Sequence, residues 1–316
     1  MKKILTAIAV AATALLPAEV FAQESAALPF MNIMAGPRTA AMGGISAGLA
    51  PGAYAHFDNV AAVPFNEETF AAGVSYGMWQ PDAAKSHLVT VGGIYRINDR
   101  LGVTFGTLVG VNSSYELMDD NGSIAGSFTP KDFRIGAGVS YRIIDDLSVG
   151  VALNYAQSTL APKSDLYSTT MKTFAADIQV MYRISDFDIS LSANNLGTPV
   201  KSASGESFSI PMNAKLAAGY ENDFDVHHLS AGIEGGLYFG GPSAAFAAAG
   251  AEYMYNDIVA VRAGYHYGGK ANGIASYASV GLGVKFCGVN IDAAYLVAGK
   301  DSPMKNTFAV GVGYSF

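Results

Sequence analysis

Two stretches of the chain carry the Gly-x-Ser-x-Gly spacing of a nucleophile elbow: Gly44-Ile45-Ser46-Ala47-Gly48 and Gly73-Val74-Ser75-Tyr76-Gly77. Acyl transfer on such a serine needs a strand–turn–helix context, with an imidazole and a carboxylate to move the proton. Neither stretch offers it, and in a chain with 36 glycines both matches read as chance. The five histidines, His56, His87, His227, His228 and His266, show no zinc spacing. His227 and His228 are neighbours and so point to opposite faces of a strand. Cys287 is the single cysteine, so it has no partner for an internal disulfide, and no histidine near it in sequence could activate the thiol. The Asn-Asp and Asp-Asp pairs are turn formers before they are acid–base pairs. No phosphate loop or cofactor fingerprint occurs, so the chain reads as non-enzymatic, with no cofactor and no metal.

The elements that carry these residues are set by composition and period. The 316 residues are 50% hydrophobic and 14% charged, against about 25% charged in an average soluble domain. Past the N-terminus no run of 18 apolar residues offers a spanning helix. With 17 Tyr and 17 Phe the chain is too aromatic to be disordered. At the N-terminus, Lys2 and Lys3 precede an apolar run from Ile4 to Leu16 and a Val20-Phe21-Ala22 cleavage site, the pattern of a secretory signal cut after Ala22. The remainder has 17 basic and 25 acidic side chains, a net charge of −8 that argues against nucleic acid as a partner.

From residue 67 onward, apolar and small or polar residues alternate in fourteen segments: 67–79, 86–97, 100–112, 132–143, 147–158, 172–184, 187–196, 211–221, 226–239, 244–255, 258–267, 276–286, 288–297 and 306–316. Each is long enough to cross a bilayer as a tilted strand. Every second connection is a tight turn, such as Asn98-Asp99-Arg100, Ile144-Asp145-Asp146, Ser185-Asp186, Asn222-Asp223, Asn256-Asp257 and Cys287-Gly288. The intervening links, among them 113–131, 159–171 and 197–210, are mostly longer and richer in Gly, Ser, Pro and Lys. This partition predicts an all-β fold, a transmembrane antiparallel β-barrel of about 14 strands in the bacterial outer membrane, with both termini and the tight turns in the periplasm. Alternation places Arg134, Asp177, Lys215, Glu234, Arg262, Lys285 and Asp292 in the lumen. Tyr76, Tyr95, Tyr141, Tyr182, Tyr220 and Tyr314 read as an interfacial girdle.

Residues 28–65 are rich in Gly and Ala, lack alternation, and must lie outside the wall. Here the chain resembles the PorV/PorQ family of outer-membrane barrels, related in architecture to FadL-type transporters. The resemblance rests on Gly36-Pro37-Arg38-Thr39-Ala40-Ala41-Met42-Gly43-Gly44, Asp58-Asn59-Val60-Ala61-Ala62-Val63, Asn194-Asn195-Leu196-Gly197, Glu252-Tyr253-Met254-Tyr255-Asn256-Asp257, Arg262-Ala263-Gly264-Tyr265, Gly281-Leu282-Gly283 and Asp292-Ala293-Ala294-Tyr295. Where the family has Asn-Pro-Ala, this chain has Asn59-Val60-Ala61. The resemblance implies a signal peptide (1–22), a hatch segment in the lumen (23–66) carrying Arg38, Met42, Gly43, Gly44 and Asn59, and a barrel (67–316). It also implies association with type IX secretion, with secreted cargo bearing a shared C-terminal domain as partner. Tyr115, Leu117, Phe128, Tyr167 and Phe208 in the long loops would then form the contact surface. The alternative is a FadL-like passive transporter of hydrophobic small molecules. In either case the barrel wall faces outer-membrane lipid.

Overall fold

The computed structural model describes residues 26–49, 52–119, 121–163, 169–201, 205–240, 243–269 and 274–316. Fourteen antiparallel strands close into one barrel: β1 (Phe70–Trp79), β2 (Ser86–Arg96), β3 (Leu101–Val111), β4 (Lys131–Ile144), β5 (Leu147–Thr159), β6 (Thr170–Ile184) and β7 (Phe187–Gly197), followed by β8 (Met212–Phe224), β9 (His227–Phe239), β10 (Ala244–Tyr255), β11 (Val259–Tyr267), β12 (Tyr277–Phe286), β13 (Val289–Val297) and β14 (Phe308–Ser315). Each strand pairs with its sequence neighbours. The ring closes between β1 and β14, in register from Ala71 opposite Ser315 to Met78 opposite Phe308. Closure leaves no free edge, the condition a sheet must meet in lipid.

The two faces follow from the period of two. Val74, Phe105, Ile135, Leu153, Ile178, Leu216, Ile233, Leu282, Ile291 and Val312 are exposed on the outer surface. Their neighbours Ser75, Thr104, Arg134, Asn154, Asp177, Glu234 and Asp292 point inward. Tyr95, Tyr141, Tyr255, Phe286, Tyr314 and Phe316 ring the turn end as exposed aromatics.

Tight turns at that end are made by residues that accept left-handed backbone. Ser185, Asn256, Asp257 and Cys287 all have positive φ. Asn98 shapes its turn differently, its side chain accepting from the amides of Arg100 and Leu101, both at 2.9 Å. One turn departs from the sequence expectation. Asn222 and Asp223 lie within β8, and the reversal falls at Asp225-Val226, where Asp225 takes φ 57°. The Asn-Asp pair is instead held in the ladder by side-chain bonds, Asn222 to Asp186 and Asp223 to His228.

The opposite end carries the longer links. The 113–131 link folds into a small hairpin of Tyr115–Met118 and Ile124–Phe128. The 197–210 link contains a two-residue pairing of Val200–Lys201 with Ser207–Phe208.

Residues 26–49 and 52–66 run inside the barrel, from its loop end to its turn end. The Ala27 amide donates to the Ser209 carbonyl in the 197–210 link. A 3-10 turn (Pro29–Asn32), a short helix α1 (Pro37–Ala41) and a second 3-10 turn (Val60–Phe65) follow, and Glu68 meets Lys285 at the turn end. Ala27 therefore lies at the loop end, whereas Phe316 pairs with Phe70 at the turn end. The N-terminus, expected at the turn end, lies outside the described residues. The luminal segment is long enough to span the barrel, and its first described residues meet the apolar mouth rather than the turns.

Candidate functional site

The luminal segment is shaped by local signals. Pro37 begins α1, where its missing N–H costs nothing. Gly43 and Gly44 end it with φ of 76° and 84°, a path that a side chain resists. Asn59 caps the second 3-10 turn by accepting from the Ala61 amide at 3.1 Å.

Charged and polar side chains from the wall then grip the segment at four places. Near the turn end, Arg38 donates from Nη2 to Oε1 of Glu252 at 2.7 Å and from Nε to both carboxylate oxygens at 3.2 Å. Arg262 holds the other side of Glu252 and reaches Asp292 at 2.6 Å. In the middle, one Glu234 oxygen accepts the amides of Ser46 and Ala47, both at 2.9 Å. Lys215 bonds Ser46 Oγ at 2.6 Å and pairs with Glu234 at 3.4 Å. On the opposite wall, Asn59 donates to the Ala47 carbonyl and to Ser190, and the Val60 amide donates to Gln179. Towards the loop end, Arg134 donates to the Met31 carbonyl at 3.0 Å, pairs with Asp177 at 3.3 Å and lies over the Phe57 ring.

Taken residue by residue, Arg134, Asp177, Lys215, Glu234, Arg262 and Asp292 all contact the luminal segment or one another. Lys285 instead sits at the turn-end rim, bonded to Glu68 at 3.0 Å. Met42 is fully buried with Ile45, Leu49 and Ala248, and the Gly43 amide donates to Ser279 Oγ. Among the loop residues, Tyr115 is exposed and Leu117 and Phe128 are half-buried. Phe208 packs on the cluster that fills the loop-end mouth. Tyr167 lies outside the described residues.

Several residues that complete the grip were not singled out from sequence. Glu252 holds two arginines, and its inward parity in the 244–255 alternation was the available signal. Thr39, His56 and Asp58 carry no periodic signal at all. Asp58 accepts from the Thr39 hydroxyl at 2.8 Å. Burial pushes its carboxyl up to about 7, against the pull of that bond and of Lys215. His56 is fixed between Thr104 and Asn154 at 3.1 and 2.9 Å. Burial, then the Arg134 charge, lower its imidazole to about 4.

This chemistry is structural. Ser46 Oγ bonds Lys215 and Glu234, and Glu234 occupies the adjacent amides that an oxyanion would need. Ser75 Oγ donates to the Ala35 carbonyl. Among the described residues neither hydroxyl bonds an imidazole, and no cluster of three metal-ligating side chains occurs. What the site does is pin a plug.

Three of the spaces that remain around it among the described residues are connected through shared lining residues. An inner chamber of about 60 Å³ lies under residues 31–35. A second, of about 90 Å³, lies between the plug and β13–β14. A vestibule of about 570 Å³ opens at the turn end, lined by eight carboxylates against four Arg and Lys.

A closed 14-strand barrel with a luminal plug is an outer-membrane barrel of FadL-like fold. Solved structures similar to it include the Ralstonia pickettii toluene transporter TbuX (TM-score 0.61, 15% identity, 89% of this chain and 97% of that one) and the Pseudomonas putida toluene transporter TodX (TM-score 0.60, 14% identity, 89% and 98%). A Pseudomonas aeruginosa FadL homologue is similar as well (TM-score 0.57, 13% identity, 90% and 99%). At these identities the likeness is one of fold. Comparison with curated proteins gives no sequence match. Residues 21–234 match the family described as type IX secretion system protein PorV, and the chain belongs to that family.

Proposed function

We propose that this chain is a non-enzymatic accessory barrel of type IX secretion that binds secreted cargo or attachment machinery through its loop-end surface. The observation that carries this reading, within the family, is the hairpin of the 113–131 link. Met118 and Ile124 are 65% and 64% exposed at its tip. Apolar side chains held out on an ordered hairpin are a feature of partner surfaces.

Transport of a hydrophobic small molecule is the second reading, suggested by the toluene transporters of the same fold. It calls for an apolar pocket of roughly 300–1,000 Å³. The inner and second chambers are far smaller, and ion pairs and asparagines stand in their linings beside the apolar side chains. The apolar volume of the loop-end mouth is filled by the chain's own Leu28, Phe30 and Met31.

The test is a mild-detergent pull-down of the tagged protein from its native outer membrane, with mass spectrometry of proteins and extracted small molecules. Secreted proteins sharing a C-terminal domain should co-purify, and deleting 113–131 should abolish their recovery. Unchanged recovery after the deletion removes that hairpin from the dock. A stoichiometric apolar molecule with no protein partner favours the transporter.

A further inference from the structure

The plug is gripped by polar groups, yet several buried polar atoms of the wall around it have no partner. His266 is 4% exposed and stands between the rings of Phe246 and Tyr277, with centroids 5.8 and 5.1 Å away, and neither ring nitrogen has a hydrogen bond of good geometry, although the Gly43 backbone stands close enough to interact. Asn195 is 2% exposed and its Oδ1 is unbonded. Both line the inner chamber. Asn290 Oδ1 is likewise unbonded and lines the second chamber with Tyr54. Buried polar atoms left this way are ordinarily satisfied by internal water. One water needs about 10–15 Å³ of such space, so each chamber has room for several.

The three spaces are arranged in series. Thr39, Ser46 and Asp58 line both chambers and form a polar partition between them. Arg38, Asn290 and Asp292 line both the second chamber and the vestibule. Towards the loop end the character changes. Leu28, Phe30 and Met31 pack with Trp79, Leu296 and Met304 into an apolar seal over the inner chamber.

We propose that the plug encloses a hydrated path from the turn-end vestibule to the His266–Asn195 chamber, selective for small cations, passing the hydrogen-bonded Thr39–Asp58 partition between the chambers and closed at its loop end by the apolar seal of residues 28–31. The selectivity follows from charge. The vestibule is acidic in balance, and rings of Asp and Glu at a pore mouth concentrate cations. The arginines and the lysine along the path, Arg38, Arg262, Arg134 and Lys215, are each paired with a carboxylate. The inference stands apart from the proposed secretion role, since it concerns the lumen and not the loops.

The path is tested by ion currents across planar bilayers. Wild-type protein should be silent, and a Phe30→Ala, Met31→Ala variant should pass a steady current at least about tenfold above wild type, with potassium preferred over chloride. Adding His266→Phe keeps the ring stack but removes both nitrogens, and it should cut that current several-fold. A seal variant that retains its strand content and stays silent overturns the proposal, as do a chloride-selective current and one indifferent to His266→Phe. A high-resolution experimental map of the wild type gives an independent reading in case the seal variant does not fold. Solvent peaks within hydrogen-bond distance of His266 and Asn195 are expected, and a dry chamber overturns the path.

Discussion

Asp58 and His56 stand two residues apart on the plug, and burial moves their proton affinities in opposite senses. Asp58 is held up to about 7, so the fold keeps a proton there that the unfolded chain has already released. Its contribution to stability is present below the unfolded value near 4 and falls away as pH rises towards 7. His56 is held down to about 4, so its contribution is full above 6.5 and is lost as pH falls. Across pH 4 to 6.5 the two slopes oppose each other, each at most about 1.4 kcal/mol per pH unit. Asp58→Asn should therefore leave the His56 slope alone, and plug stability should climb with pH over that window. His56→Gln should reverse the trend, with stability declining from pH 4 to 7. Trp79, the single tryptophan, packs in the loop-end seal, and its emission during urea titration reports plug release. Identical pH profiles for the two variants would refute the assignment.

At the scale of elements, the plug and the wall meet through glycine. A Cβ built on Gly219 of β8 would overlap the Gly48 carbonyl, and one on Gly264 of β11 would strike the Met42 and Gly43 backbone. Backbone cannot rotate away as a side chain can, so Gly219→Val should push residues 42–49 off the wall, at a cost on the order of 1–3 kcal/mol or more. Hydrogen exchange should show the Ser46 and Ala47 amides losing protection while amides of β1–β7 keep theirs. Gly235→Ala, whose nearest neighbour is a Phe246 carbonyl at 3.9 Å, is the neutral control. Equal behaviour of the two variants would mean that the wall does not hold the plug there. The same contrast explains what could be read from sequence. Strand limits such as Ala244–Tyr255 follow from alternation and turn chemistry, both local in the chain. The grip is not local: Arg38 and Glu252 are 214 residues apart, and Ser46 and Glu234 are 188 apart. Alternation gives the parity of a charge but not its partner. The path of a segment with no period, and hence the loop-end position of Ala27, leaves no mark in the sequence. The turn misplaced at Asn222-Asp223 shows the complementary limit, since Asn and Asp fit a reversal but are equally able to bond across a ladder.

For the molecule as a whole, the separation of tight turns from long links predicts its orientation in an outer membrane. Short turns belong to the periplasmic side and long loops to the outside in this class of barrel. The chain supplies its own probe, because Cys287, its only cysteine, is exposed in a turn between β12 and β13. With a membrane-impermeant maleimide, intact cells making the wild-type protein should show no labelling, and lysed cells should show it. Asn121 is exposed in the hairpin at the opposite end, so Asn121→Cys in a Cys287→Ser background should label in intact cells. Labelling of Cys287 from outside would invert the barrel and place the 113–131 hairpin in the periplasm, where it could not meet cargo at the cell surface. The acidic vestibule would then face outward and the apolar seal inward. The secretion reading depends on orientation in a way that the hydrated path does not, and two thiols at opposite ends of the barrel are enough to separate them.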